Sequence, residues 1–175
     1  MEKILHSLSD NLLNSYSIDK LMHQLNFMKS KDVKDTLGRI EKHWGCDLKS
    51  FYKKYLFVRT EKDRIYLANK EIQHVDLAKL RVNSVGLYFA EVKKDQFRLS
   101  VEGSQMVGNI ATKNVVEISE EQSKQWFKGI DVDFPSERTD FVILKHNKDF
   151  IGCGKMKEGK ILNFLSKIRR VKEIM

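Results

Sequence analysis

Lysine and arginine are concentrated near the end of this sequence, and their chemistry is that of phosphate binding. Between Lys145 and Lys172 there are nine basic residues and two acidic ones, whereas the whole 175-residue chain has a net charge of +8. Each phosphate that a cation neutralises releases counterions, which gives salt-dependent affinity without reading the base sequence. Isolated lysines would only keep a sheet edge solvated. Because these residues recur at short spacing, we expect several to converge on one rim that contacts RNA.

Two glycines interrupt this basic segment, in the motif Gly152-Cys153-Gly154-Lys155. The motif is similar to a glycine-rich phosphate cradle only superficially, because it lacks a third glycine and does not open a helix. Glycines inside a strand allow a bulge or the close approach of another backbone. The space left by the absent side chains is therefore interpreted first as serving the protein's own packing. The same space can admit a nucleic-acid backbone, and the two interpretations are not exclusive.

No group of residues in the sequence predicts catalysis or a metal centre. The histidines are scattered, and only His43 and Cys46 have a spacing that a metal could use, which is too few ligands for a site. Cys153 has no histidine or acid placed to activate it, so we interpret it as a small buried thiol. Signatures of serine hydrolases, phosphate-binding loops and zinc proteases are missing. We expect a non-enzymatic protein with no cofactor and no metal.

The basic segment is predicted to lie on a small β-barrel. Ser119-Glu120-Glu121-Gln122 matches a capping box, so a short helix should begin there and stop at Gly129. Short strands are predicted at 115–118, 141–146, 150–155, 160–164 and 168–174. Short strands at close spacing with one helix are typical of a closed or nearly closed barrel. The aromatic residues fall mostly on apolar faces and are expected in cores, with one left to stack on a base.

The first hundred residues are predicted to mix helices with antiparallel strands. Val33, Leu37, Ile40 and Trp44 recur at helical period, and Gly45 follows as a stop. Strands at 55–59 and 64–67 form one predicted hairpin, and strands at 84–92 and 96–101 form another. Further helices are predicted at 2–14, 18–28 and 69–80. A boundary near 108–113 divides the chain into domains of residues 1–110 and 111–175.

Composition limits where such a protein works. No run approaches 18 consecutive apolar residues, and polar residues interrupt the N-terminal segment, so we expect neither a membrane span nor a signal peptide. Two distant cysteines, Cys46 and Cys153, do not form a secreted disulfide scaffold. These observations favour a cytoplasmic protein that does not contact membranes.

Several short segments resemble a known family of ribosome-biogenesis factors. They are DRIY at 63–66, EI at 71–72, SVG at 84–86, FRL at 97–99 and EQS at 121–123, and they resemble the nuclear-import-protein-seven family over approximately residues 30 to 155. The resemblance implies an α+β chain: an N-terminal α/β pre-PUA domain with an antiparallel sheet, and a C-terminal PUA pseudo-β-barrel that binds RNA. FKGIDV at 127–132 is similar to the "K-G-A-D-V" turn that borders the RNA groove of PUA domains.

The end of the chain has a second resemblance. GCGK at 152–155, KILN at 160–163 and KIRR at 167–170 are similar to the PUA-like tails of rRNA 5-methylcytosine methyltransferases. Ser166 stands where that pattern usually has a proline, which affects the expected loop shape but not the charge. The glycine-rich cofactor motif and the Pro-Cys nucleophile of the methyltransferase domain are absent. The combination is similar to archaeal free-standing pre-PUA/PUA proteins.

These observations predict an RNA-binding protein in rRNA processing or ribosome assembly, whose partner is rRNA or its precursors. The N-terminal domain would dock ribosome-assembly or RNA-modification proteins. The alternative is an RNA-specificity subunit for a separately encoded rRNA or tRNA methyltransferase. The residues expected to contact RNA are Lys128, Gly129, Lys145, Lys148, Gly152, Gly154, Lys155, Lys157, Lys160, Lys167, Arg169 and Arg170.

Overall fold

A computed structural model describes residues 26–74, 86–93 and 96–171. It contains helices and two mostly antiparallel sheets, which confirms the predicted α+β class. The N-terminal elements are α1 (Ser30–Trp44), α2 (Lys49–Lys54), β1 (Tyr55–Arg59), β2 (Arg64–Asn69), a 3₁₀ turn (Lys70–His74), β3 (Leu87–Lys93), β4 (Gln96–Leu99) and α3 (Val101–Gly108). The predicted helix at 2–14 lies outside the described residues. So does most of the one at 18–28, of which residues 26–28 form no helix.

Helix α1 forms as its apolar period predicts. Val33, Leu37, Ile40 and Trp44 are all buried along one face. The helix ends at Gly45, which adopts the left-handed conformation (φ 62°) and donates its backbone N–H to Glu41 O at 2.7 Å. A residue without Cβ adopts this conformation without strain, so glycine is the usual stop.

The N-terminal sheet is antiparallel throughout, in the order β1-β2-β3-β4, and confirms both predicted hairpins. A bulge between Ile65 and Tyr66 shifts the register of β2 against β3. The fourth strand ends at Leu99 and not at Val101, because Ser100 is the N-cap of α3 and accepts a hydrogen bond from Gly103 N at 2.9 Å. In the described part of 69–80, the predicted helix is only the 3₁₀ turn Lys70–His74.

The C-terminal elements build the second sheet. They are β5 (Val115–Glu117), α4 (Glu120–Lys128), β6 (Val132–Asp133), β7 (Phe141–His146), β8 (Asp149–Lys157), β9 (Lys160–Leu162) and a 3₁₀ turn (Lys167–Arg169). The strand order is β5-β7-β8-β9-β6, with β5 and β7 parallel and the other pairs antiparallel. The strand predicted at 168–174 is wrong in its described part: residues 167–169 turn and 170–171 join no strand.

One buried core draws on all five strands of this sheet and on α4, so the sheet curls around it as an incomplete barrel. Trp126, only 1% exposed, projects from α4 into that core. The helix begins with the predicted capping box, in which Ser119 Oγ accepts from Gln122 N and Ser119 N donates to Gln122 Oε1. It ends at Gly129 (φ 81°), as predicted.

The two sheets share a wall. Ile143 of β7 and Cys153 of β8 pack into the core of the N-terminal half, together with Val107 of α3. Helix α3 contacts both β3 and β8. The curled sheet therefore contributes one face to its own core and the opposite face to the neighbouring core.

Candidate nucleic-acid interface

The residues predicted to contact RNA lie in four places on the C-terminal half. We call three of these places the hairpin cluster, the C-terminal cluster and the distal pair, and the fourth is the glycine pair of β8. Their members are Lys155, Lys157 and Lys160 (hairpin cluster); Lys128, Gly129, Lys167, Arg169 and Arg170 (C-terminal cluster); Lys145 and Lys148 (distal pair); and Gly152 and Gly154 (glycine pair).

The hairpin cluster presents its charge where β8 turns into β9. Lys157 and Lys160 face each other across the two strands and are exposed, on either side of a tight turn at Glu158 and Gly159 whose φ angles are both positive. Their contacts with Glu158 (3.4 Å) and Asp133 (3.6 Å) are exposed ion pairs. Such pairs hold side chains only weakly, so both ammonium groups can turn to a phosphate.

Within the C-terminal cluster, the side chain of Arg170 packs against the end of α4 and does not extend into solvent. The side chain of Arg170 occupies the space in which a Cβ on Gly129 would lie, and its Nε donates to Leu165 O at 3.1 Å. The next residue, Val171, donates its backbone N–H to Phe127 O at 2.9 Å. The glycine that ends α4 therefore serves as a seat for the tail, and Arg170 is half-buried there.

The distal pair lies away from the hairpin cluster. Lys145 forms a 3.1 Å ion pair with Glu117 of the adjacent strand β5. Lys148 lies in the β7–β8 turn directly before β8, and Lys157 is the last of the nine residues of β8. At the usual rise per strand residue this separation is roughly 25 Å. The structure therefore does not bring these predicted residues together on one rim.

The glycine pair faces the indole of Trp126. A Cβ on Gly152 would lie 3.0 Å from Trp126 Cζ2, and one on Gly154 would overlap the side chain of Ile161. Trp126 Nε1 donates to Ile151 O at 3.2 Å, which fixes the ring against β8. Gly152 has φ 150°, a conformation that other residues rarely adopt. Of the two interpretations of the motif, the contacts favour the protein's own packing.

The thiols and the helix-end histidine also have structural surroundings. Cys153 is buried, and burial raises the pKa of its thiol to about 12. Burial and the charge of Glu41 raise the pKa of Cys46 to about 11. His43 Nε2 lies 2.7 Å from the carbonyl oxygen of Phe141. Neither thiol is therefore in the ionised, nucleophilic form near neutral pH.

A cleft between the two sheets contains arginines, Arg64 and Arg98, that are not among the residues predicted to contact RNA. It has a volume of about 430 Å³, and arginines from both halves of the chain line it: Arg64 on β2, Arg98 on β4 and Arg169 in the C-terminal cluster. Three aromatic rings line it as well: Tyr88, Phe164 and the almost fully buried Trp126. Its remaining lining is Leu99, Ser100, Val101, Glu102, Gly152, Cys153, Leu165 and Ser166.

The guanidinium groups of the cleft lie against its rings. Arg98 is 4.5 Å from the centroid of Phe164, and Arg64 is 5.6 Å from that of Tyr88. Arg98 also donates to Glu91 Oε2 at 2.9 Å. Burial alone would raise the pKa of Glu91, but a hydrogen bond from Lys93 and the charge of Arg98 hold it below its ordinary value. Burial raises the pKa of Tyr88, so its hydroxyl stays protonated.

Two signals could have identified this cleft from the sequence. Arg64 and Arg98 each flank buried apolar positions of a strand, so they lie on the sheet face opposite the α1 core. Phe164 stands between Lys160 and Lys167, and an aromatic residue among basic ones is typical of surfaces on which bases stack; in the structure Phe164 is 40% exposed. The sequence could not predict that Arg169 lies in the same cleft as Arg64 and Arg98, because Arg169 reaches the cleft only through the path of the chain after β9.

Comparison with known proteins agrees with this geometry over the C-terminal half. Residues 113–171 match the family model described as the methyltransferase RsmF PUA domain, whereas no curated protein matches the chain. Among the described residues, no helix has the length and apolar character needed to cross a bilayer. The resemblance to the nuclear-import-protein-seven family stays a prediction. Residues 113–171, about a third of the chain, are therefore similar to the PUA domain of a methyltransferase, and PUA domains typically bind RNA.

Proposed function

We propose that the protein is a non-enzymatic, cytoplasmic RNA-binding protein that acts in rRNA processing or ribosome assembly. The observation that carries the proposal is the PUA match over residues 113–171, on a sheet whose β8–β9 hairpin presents exposed lysines. The resemblance of residues 30 to 155 to the nuclear-import-protein-seven family supports the ribosomal assignment. Assembly or modification proteins would dock on the N-terminal half.

The grip on RNA is electrostatic. Lys157, Lys160 and Lys167 are exposed and lie on segments that the PUA match includes. Phosphate contacts from such residues fix the position of the RNA but do not distinguish one base sequence from another. The affinity should therefore fall steeply as the salt concentration rises. In a plot of the logarithm of the binding constant against the logarithm of the salt concentration, each phosphate contact with a single strand steepens the slope by about 0.7.

The experiment that tests this grip is a titration of structured RNA at two or more salt concentrations. The variant Lys157→Ala/Lys160→Ala/Lys167→Ala should bind more weakly and lower the salt slope by about 2. The control Lys31→Ala/Lys49→Ala/Lys53→Ala removes the same charge from exposed positions of α1 and α2 and should bind like the wild type. Equal loss in both variants would mean that only net charge matters and would refute a located interface.

A second candidate function is that of a specificity subunit for a separately encoded RNA methyltransferase. One observation favours it: the matching model describes the PUA domain of a methyltransferase, in which RNA binding serves an enzyme. Purification of the tagged protein from native cells separates the two. Ribosomal precursors and assembly factors in the eluate support the first proposal, and a modifying enzyme in equal amount supports the second.

A further inference from the structure

We infer that the cleft between the two sheets binds one unpaired nucleotide of the RNA, with its phosphate on the arginines and its base against Phe164. This inference rests on the proposed RNA-binding function and adds a second, shape-dependent contact to the electrostatic grip. At about 430 Å³ the cleft is in the size range of small-ligand pockets.

The arginines of the cleft supply the phosphate site. Arg64, Arg98 and Arg169 all line the same cavity, and Glu102 is the acidic side chain in its lining. A guanidinium presents several N–H donors in a plane that matches a phosphate. Because Arg64 and Arg98 belong to one half of the chain and Arg169 to the other, a bound phosphate would bridge the two.

Glu102 now occupies the place of an anion in this cleft. Glu102 lies in the first turn of α3, and its carboxylate forms an ion pair with the guanidinium group of Arg169. A phosphate that binds Arg169 must replace this carboxylate or share the guanidinium with it. Glu102 therefore acts as an internal competitor, and neutralising it should strengthen binding.

The aromatic residues supply the surface for the base. Phe164 is 40% exposed. The guanidinium carbon of Arg98 lies 4.5 Å from the centroid of its ring, and the centroid of the Phe141 ring lies 6.0 Å from it. Unpaired bases stack on such rings and on guanidinium planes. A base held in a duplex is already stacked and cannot enter, so the site selects an unpaired nucleotide.

The cleft is continuous with the proposed RNA surface. Phe164 contacts Phe141, and the ammonium group of Lys155, a member of the hairpin cluster, lies 5.6 Å from the Phe141 centroid. A strand of RNA that lies along the hairpin cluster can thus place its next nucleotide in the cleft. This continuity favours an RNA chain over a free mononucleotide.

The test compares a single-stranded oligonucleotide of eight uridines with a duplex of the same charge, using the full chain. Phe164→Ala should weaken single-strand binding about fivefold or more and leave duplex binding unchanged. Arg64→Gln should also weaken single-strand binding, whereas Glu102→Gln should strengthen it. Circular dichroism and thermal unfolding verify that each variant is folded.

The outcomes separate this inference from the proposed function. Unchanged single-strand affinity in Phe164→Ala and Arg64→Gln, with a loss in the Lys157/Lys160/Lys167 variant, overturns the nucleotide site and leaves the electrostatic grip intact. Tight binding of uridine monophosphate alone, with no gain for the oligonucleotide, would also overturn it in favour of a free nucleotide. If the wild type binds no RNA at any salt concentration, both proposals fail.

Discussion

Replacing Gly154 with alanine tests whether the glycine pair serves the protein or the RNA. The new Cβ would overlap Ile161 Cγ2 and lie 2.9 Å from the carbonyl oxygen of Leu162, whereas carbon atoms pack at about 3.5–4.0 Å. Ile161 is 0% exposed and Trp126, on the same side, is 1% exposed, so neither side chain can turn into solvent. The methyl group has no room without moving β9.

Overpacking of this kind costs about 1–3 kcal/mol, which corresponds to a fall in Tm of roughly 2–12 °C in a chain of this size. The matched control is Gly38→Ala, in the middle of α1, where an added Cβ meets nothing within 4 Å. There the gain in helix propensity should stabilise the protein by about 1 kcal/mol. Thermal unfolding followed by circular dichroism measures both changes.

RNA affinity measured well below Tm completes the test of Gly154. If the glycine serves packing, the folded Gly154→Ala variant binds RNA as the wild type does. An unchanged Tm together with lost RNA affinity would refute our reasoning, and would mean that the missing side chain makes room for the nucleic-acid backbone.

Three further predictions follow from the described contacts. Ser119→Ala removes the N-cap of α4 and should cost about 1 kcal/mol in urea unfolding, whereas an unchanged midpoint would contradict the capping box. Because the pKa of Glu91 is lowered in the folded state, its carboxylate stabilises the fold above its ordinary value of 4.5. That stability is lost as pH falls through the folded pKa, so Glu91→Gln should differ from the wild type more at pH 7 than at pH 3. Cys153 should resist alkylation until the protein unfolds, and rapid labelling of the native protein would show that it is accessible.

Local patterns predicted those elements whose determinants lie close together in the sequence. The period of Val33, Leu37 and Ile40 fixed α1, and the capping box at Ser119 fixed α4. Helix α3 was not predicted because two of its eight residues, Gly103 and Gly108, are poor helix formers. Each is needed there for tertiary reasons, because an added Cβ would meet Phe89 and Phe150 respectively.

Clustering along the chain was a poor guide to clustering in space. The predicted set joined Lys148 to Lys157, although β8 holds them apart. It omitted Arg64 and Arg98, which antiparallel pairing of β2, β3 and β4 brings to the same face. Charge counting finds residues that are near in sequence, whereas the cleft depends on strand order and on the path of the tail.

The shared strand β8 has a consequence for how the molecule comes apart. Cys153 faces the core of the N-terminal half, while Met156 faces the core of the curled sheet. If either half unfolded, apolar side chains in the core of the other half would be exposed to water. We therefore expect the two halves to unfold together in a single cooperative transition. A fragment cut at the predicted boundary of 110/111 would leave Ile143 and Cys153 facing water. Function could therefore be divided between the two halves only at the expense of their stability.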